Sequence, residues 1–256
     1  TILLGIVTGA ALFSTIALLE IALLATILAP TDAALGKAVV SDKSVPGSIR
    51  SGLNLESGLN DGICVPIFLV FLAFITNDVG DQIFWQLALQ LIAEEVGIGA
   101  LTGIVIAGVG AVLINLRQSH EKISPTWKQL LVPALALACF ASAQALGGSG
   151  FIASFVGGLL FGWIGQQKTE SYLLAAEGTG NALSVVTWVA FGALVVPRVF
   201  DTVTWEIAIY AVLSLTVVRM LPVWICLKGS SISTGEVLFV GWFGPRGLAS
   251  IVFTVM

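Results

Sequence analysis

Apolar residues run through this chain in long blocks, with polar residues gathered in the short gaps between them. Nine apolar segments stand out, at about Ile2–Leu19, Ile21–Val40, Leu53–Ile75, Gly97–Leu116, Leu130–Leu146, Phe151–Gly165, Leu173–Val196, Trp205–Leu227 and Val237–Met256. About 20 apolar helical residues cross a hydrocarbon core of about 30 Å. Gln82–Glu95 reads as an amphipathic continuation of the fourth segment rather than a crossing of its own. Phe151–Gly165 is short for a span and leaves a re-entrant course open. The pattern predicts an all-α polytopic membrane protein with about nine transmembrane segments, forming a single transmembrane domain over residues 1–256.

Composition agrees. Of the 256 residues 57% are hydrophobic and only 10% charged, against about 25% charged in a soluble domain. A water-exposed globule is therefore excluded, and the lipid bilayer is the expected surrounding, with no nucleic acid as partner. Glycine is abundant, at 28 residues, as expected where helices pack closely in lipid. If the spans alternate, the loops after even-numbered segments carry Lys37, Lys43, Arg50, Arg117, Lys122, Lys128, Lys168 and Lys228, whereas those after odd-numbered segments carry only Arg198. By the positive-inside rule that asymmetry makes the even-numbered loops cytoplasmic. A multi-pass cell-membrane protein is the expectation. The absence of a signal-peptide pattern, the start at Thr1 and the stop at Met256 within an apolar run read as a piece trimmed at both ends. Cys64, Cys139 and Cys226 are far apart and His120 stands in a polar gap, so structural thiols are expected, with no cofactor.

Two segments are interrupted. Ala29-Pro30-Thr31-Asp32 breaks the second, and Gly241-Trp242-Phe243-Gly244-Pro245-Arg246-Gly247 breaks the ninth. Proline removes a backbone donor and clashes with the preceding turn. Non-helical backbone at membrane depth survives only inside protein or around a water-filled cavity. A pair of broken segments, one early and one late, points to the binding site of an inverted-repeat transporter, although the two halves share no convincing sequence similarity. Arg246 is a candidate for offsetting the exposed half-helix dipoles. Pro66, Pro133 and Pro222 read as simple kinks.

The third segment carries acids at depth. A buried carboxylate costs roughly 2.5–3.5 kcal/mol on insertion scales, and Asp32, Glu56 and Asp61 fall within two neighbouring segments. Helical spacing puts Ser57 and Asp61 on one face, with Glu56 and Asn60 on the adjacent face. Sodium is a hard cation that takes oxygen ligands. Asp61, Ser57 and a carbonyl or hydroxyl at Thr31 can supply them, which makes Asp61 the candidate ligand for Na+. Once the cation leaves, a lone carboxylate in a partly dehydrated cavity takes up a proton. One group then holds either ion but never both, which is the condition for exchange. Glu56 needs a compensating charge, and Arg219, itself a charge within a span, is the candidate partner in a structural ion pair. Glu20, Glu94, Glu95 and Glu177 are explained by headgroup-level solvation.

Pro30-Thr31-Asp32, Glu56-Ser57, Asn60-Asp61-Gly62, Val218-Arg219 and Gly244-Pro245-Arg246-Gly247 together resemble the motifs of the monovalent cation:proton antiporters. The resemblance is strongest to the NhaP-like bacterial sodium/proton branch, and it runs in order over nearly the whole chain. It implies a sodium/proton antiporter-like fold of thirteen helices with broken crossing helices, usually a homodimer, of which this chain would span the fourth to the twelfth. About 21–75 and 205–256 would be core-domain helices. It also implies that Asp61 carries the cation or proton, that Asn60, Ser57 and the Thr31-Asp32 region complete the site, and that Glu56 pairs with Arg219. The Asn60-Asp61 pair resembles the electroneutral branch. Two departures stand: an acidic ligand from an earlier helix that this chain lacks, and Gly-Pro-Arg-Gly in place of the more frequent Gly-Leu-Arg-Gly.

Rival functions fare less well. An intramembrane prenyltransferase needs paired aspartate-rich motifs, but Cys64 stands where the next acid would follow Asn60-Asp61, and no second acidic cluster exists. A cation channel also lines its path with acids, but it would show no coupling to protons. The expected function is therefore exchange of a monovalent cation, Na+ foremost, for H+ by alternating access, and not enzymatic catalysis. A K+/H+ antiporter or a sodium-coupled solute carrier of similar fold is the alternative.

Overall fold

A computed structural model describes residues 1–32, 42–76, 81–120, 125–165, 170–230, 232–247, 250, 251 and 254. Among them every regular element is helical. Helix α1 spans Ile2–Leu12, α2 Leu18–Ile27, α3 Gly47–Thr76, α4 Asp81–His120, α5 Pro125–Ala145, α6 Gly150–Gly165, α7 Glu170–Leu194, α8 Val196–Val199, α9 Trp205–Leu215, α10 Val217–Leu227 and α11 Thr234–Trp242. A 3-10 turn at Phe200–Thr202 follows α8. Lys37, Lys122 and Lys168, used above to orient the spans, lie outside the described residues.

All nine apolar segments contain helix. Among the described residues four stretches are long and apolar enough to cross a membrane unaided: Gly47–Thr76, Ile92–Ile114, Ala176–Val199 and Trp205–Leu227. Four shorter apolar helices accompany them. Their outward faces are apolar too, with Leu3, Val7, Leu101, Leu137 and Val189 all exposed. Water tolerates no such continuous apolar surface on a monomer, whereas lipid is its natural solvent. Trp163 and Trp205, near helix ends, are 79% and 82% exposed, as befits side chains at the membrane–water interface. This is a multi-pass membrane protein.

Several boundaries shift, each for a local reason. The first segment stops at Leu12, because Phe13 turns extended, and α2 begins early at Leu18, where the Ala17 amide donates to the Glu20 carboxylate at 3.1 Å. The third helix starts at Gly47, which brings Arg50 into its first turn instead of a loop. Gln82–Glu95 is indeed continuous with the fourth segment, and the 40 residues of α4 make a rod of about 60 Å. Pro66, Pro133 and Pro222 stay inside helices. The eighth segment departs most from expectation: it breaks at Thr216, with φ −108° and ψ −90°. There the hydroxyl donates back to the Val212 carbonyl at 2.7 Å, beside the Thr216 amide, which reaches the same carbonyl at 3.1 Å. At the other end of the ninth segment, Ser233 caps α11. Its hydroxyl and amide both donate to the Glu236 carboxylate, and those bonds hold that carboxyl below its ordinary pKa.

The chain divides into two compact units, Thr1–Asp78 with Thr187–Met256, and Val79–Val186. The second unit is built on close contact between α4, α5 and α6, whose core is Ala107, Cys139, Ala143 and Ala153. Lipid supplies no hydrophobic drive for helices to associate, so small residues that let backbones touch do that work. Gly103 lies against the Ala153 main chain, where an added Cβ would meet the carbonyl oxygen and, at 2.9 Å, its carbon. Gly147, at φ +79°, ends α5 in the left-handed conformation that glycine favours, and the Gly148 amide returns to the Ala143 carbonyl at 2.9 Å.

In the first unit, α1 packs on α2 through Gly5 and Gly9. A Cβ at Gly9 would come within 2.5 Å of the Ile21 side chain. Buried Tyr210 of α9 donates to the Gly5 carbonyl at 3.2 Å, which ties α1 to α9. All the site residues named from sequence belong to this unit.

Because main chain cannot swing aside as a side chain can, Gly103→Ala is expected to destabilise the folded protein by about 1–3 kcal/mol. Gly158→Ala, where a Cβ would meet nothing within 4 Å, serves as the neutral comparison. Thermal unfolding of the detergent-solubilised full-length protein measures both, and equal midpoints would show that α4 and α6 do not pack this way.

Candidate functional site

The two broken segments meet. After α2 ends at Ile27, residues 28–32 leave the helix, and after α11 ends at Trp242, residues 243–247 do the same. The Asp32 amide donates to the Pro245 carbonyl at 2.8 Å, so one interruption satisfies the other. Pro30 and Gly247 are buried there. Glycine at 247 is a steric requirement, since an added Cβ would collide with the Asp32 side chain. A second tie comes from Ser250, whose hydroxyl donates to the Ile27 carbonyl at 2.7 Å.

Helix α3 lies beside this crossing. The Ser57 hydroxyl donates to the Thr31 carbonyl at 2.7 Å, and the Asn60 side-chain amide donates to the Thr31 hydroxyl at 3.2 Å. Thr31 and Ser57 are buried. Asn60 lies about one turn beyond both Glu56 and Ser57 on α3, and its side chain reaches Thr31 as that of Ser57 does. Thr31, Ser57 and Asn60 thus form one polar cluster at the break. Asp61 is helical and follows Asn60 by one residue, in register with Ser57, but its side chain lies outside the described atoms.

Glu56 points elsewhere, to α10. Arg219 grips it through both terminal nitrogens, Nη1 to Oε1 and Nη2 to Oε2, the latter at 2.9 Å. Such a fork-to-fork pair is the strongest geometry available to these groups. Arg219 is buried, and the Glu56 side chain keeps 27% exposure. Nη2 also lies 3.5 Å from the Val240 carbonyl in the last turn of α11, where a positive charge complements the helix end. The Arg219 Nε packs against the second break: a Cβ at Gly244 would fall 2.7 Å from it. Glycine at 244 is what lets the guanidinium in. A cavity of about 420 Å³ adjoins the pair, with Ser48, Gly52, Leu53 and Cys226 among its walls.

Arg246 behaves in a matching way. Nη1 donates to the Ala29 carbonyl at 3.1 Å and lies 3.5 Å from that of Pro30, while Nη2 donates to the Ser214 carbonyl at 3.0 Å. Each of the two interrupted helices therefore ends against an arginine, α2 against Arg246 and α11 against Arg219. Sequence reasoning missed Ser214 and Val240, because a backbone carbonyl carries no side-chain signal. It also assigned no role to Gly244, Gly247 or Ser250. Among the described residues no group of three or more His, Cys, Asp or Glu is placed to hold a resident metal ion.

Two crossing interruptions, a buried ion pair beside them and a polar cluster at the crossing thus lie together in one helical membrane unit. The chain belongs to the family described as sodium/hydrogen exchanger, transmembrane, which it matches over residues 1–256. It is 28% identical over 254 residues to a Na(+)/H(+) antiporter of Schizosaccharomyces pombe, covering 94% of this chain and 54% of that protein. It is 25% identical over 234 residues to the K(+)/H(+) antiporter NhaP2 of Shewanella oneidensis, covering 91% and 40%. A Na(+)/H(+) antiporter of Saccharomyces cerevisiae is 29% identical over 247 residues, with 91% and 25% covered. The chain thus spans about half, or less, of the length of these relatives.

Removing one partner of a buried ion pair strands the other charge. Arg219→Ala is expected to cost about 3 kcal/mol, the low end for such a loss because Glu56 keeps some exposure. Glu56→Gln in the same protein should recover part of it. The yield of monodisperse protein and its unfolding midpoint measure both; a single mutant as stable as the parent would show that the pair holds nothing together.

Proposed function

We propose that this chain is the ion-translocating part of a cation:proton antiporter, a transporter and not an enzyme, which exchanges a monovalent cation, Na+ foremost, for H+ by alternating access. The observation that carries this reading is the crossing of the two interruptions, joined at Asp32 and Pro245, with Thr31, Ser57 and Asn60 clustered beside it. Oxygen donors gathered at membrane depth suit a dehydrated alkali cation. The names of the relatives support the same reading.

Asp61 is assigned the central role. It binds the cation with the help of Ser57, Asn60 and the Thr31-Asp32 region, or it binds a proton, and occupancy by one excludes the other. Hydroxyl and carbonyl oxygens such as those of Ser57 and Thr31 are the donor type a hard alkali cation takes. A single acid that trades one positive charge for another makes the exchange electroneutral. Glu56 and Arg219 neutralise each other and leave Asp61 as the group whose charge must be met by cargo. The cavity beside them faces the start of α3 and the end of α10, the cytoplasmic side by the distribution of basic residues, and gives ions their approach from that side. The family resemblance supports a homodimer for the full-length protein.

A K+/H+ exchanger is the second reading, favoured by the name of the Shewanella relative. The ligand cluster joins neutral oxygens to the carboxyls of Asp32 and Asp61, a set that any alkali cation accepts.

In vesicles bearing the full-length protein, Asp61→Asn is expected to abolish cation-driven dequenching of a pH-sensitive dye, with the protein still inserted at parental levels. Undiminished exchange in that variant would remove Asp61 from the mechanism. Running the parent with Na+, K+ and Li+ under clamped and free membrane potential identifies the cargo and the stoichiometry.

A further inference from the structure

The contacts of Arg246 exceed what neutralising a helix end requires. A helix dipole is met by any positive charge near its last turn, whatever the shape of the group that carries it. Arg246 instead uses two nitrogens on two separate pieces of backbone: Nη1 on Ala29, with Pro30 adjacent, and Nη2 on Ser214. Ala29 and Pro30 immediately precede Thr31, the residue that binds both Ser57 and Asn60. Ser214 precedes the break at Thr216, which leads into the turn that carries Arg219. In an unbroken helix the Ser214 carbonyl would accept from the Val218 amide. With the ladder interrupted at Thr216, the carbonyl is met by the guanidinium. Among the described residues, all the hydrogen bonds of Arg246 go to main-chain carbonyls.

We propose that Arg246 is a positioning residue, whose planar fork staples the interruption after α2 to the interruption between α9 and α10. The staple fixes the spacing between the Thr31 cluster and the Glu56–Arg219 pair, and with it the size of the cation cage. Shape is therefore essential as well as charge. A lysine keeps the charge but is a point donor on a flexible stem, and it does not reproduce a rigid two-nitrogen fork. This inference rests on the antiport reading above.

The test compares the full-length parent with Arg246→Lys and Arg246→Gln in proteoliposomes, measuring exchange kinetics, and in detergent, measuring equilibrium binding of radioactive sodium. Arg246→Lys is expected to fold, with an unfolding midpoint close to that of the parent. Its apparent KM and Kd for Na+ should rise about tenfold, the worth of one charge-assisted hydrogen bond, while the maximal rate stays within about twofold of the parent. Arg246→Gln should bind no better than Arg246→Lys. If Arg246→Lys matches the parent in KM and Kd while Arg246→Gln does not, charge alone suffices and the staple is wrong; it is equally wrong if both match. Should Arg246→Lys fail to accumulate, an ester in place of the Leu215 amide weakens the Ser214 carbonyl alone as acceptor for Arg246, with an ester at Val212 as control for the lost amide. A rise in Kd confined to the first ester supports the staple, and equal Kd values overturn it. Parent protein that binds Na+ but moves no protons would refute antiport, while the binding arm still decides the role of Arg246.

Discussion

Backbone polarity at membrane depth is the constraint from which the rest of this structure follows. Lipid offers no partner to a carbonyl or amide released from a helix, yet two helices are interrupted inside the protein and a third is broken at Thr216. Every device around the crossing answers that demand. One interruption donates to the other at Asp32 and Pro245, Ser250 serves the Ile27 carbonyl, and two arginines close the ends of α2 and α11. Once the arginines are present, their own charges need answers. Glu56 answers Arg219 directly, while Arg246 is spread over carbonyl dipoles. Irregular backbone is thus tolerated in hydrocarbon only because each carbonyl and amide named here has found a donor or acceptor within the protein.

The close approaches at Gly244 and Gly247 belong to the same logic. Had either carried a side chain, Arg219 or Asp32 would be displaced, and the neutralising contacts would lengthen. The sequence Gly-Pro-Arg-Gly thus encodes a break, a charge and the room for two neighbours within four residues. Small residues do similar work away from the site, at Gly9 against Ile21 and at Gly103 against Ala153.

Much of this was legible in the residues. The nine apolar blocks all contain helix, and charges at apolar depth singled out Glu56, Arg219 and Arg246 before any geometry was known. The Glu56–Arg219 pairing followed from the cost of leaving either charge alone. Less visible was anything that depends on main chain. The break at Thr216 lacks proline and glycine, so no breaker announced it, and the back-bonded threonine hydroxyl found there also occurs at Thr8 and Thr26 within unbroken helices. Asn60 was named with Ser57 for the ion site, but that both reach Thr31 depends on where the first interruption lies, which spacing along α3 does not carry. Ser214 enters through its carbonyl, which every residue possesses.

The hydrogen bond from Ser57 to Thr31 spans 26 residues of sequence and fastens α3 to the first interruption. Sliding α3 along its axis would strand the Thr31 carbonyl where lipid supplies no substitute donor. The long rod and the short non-helical stretch therefore travel as one piece, coupled by a single hydroxyl.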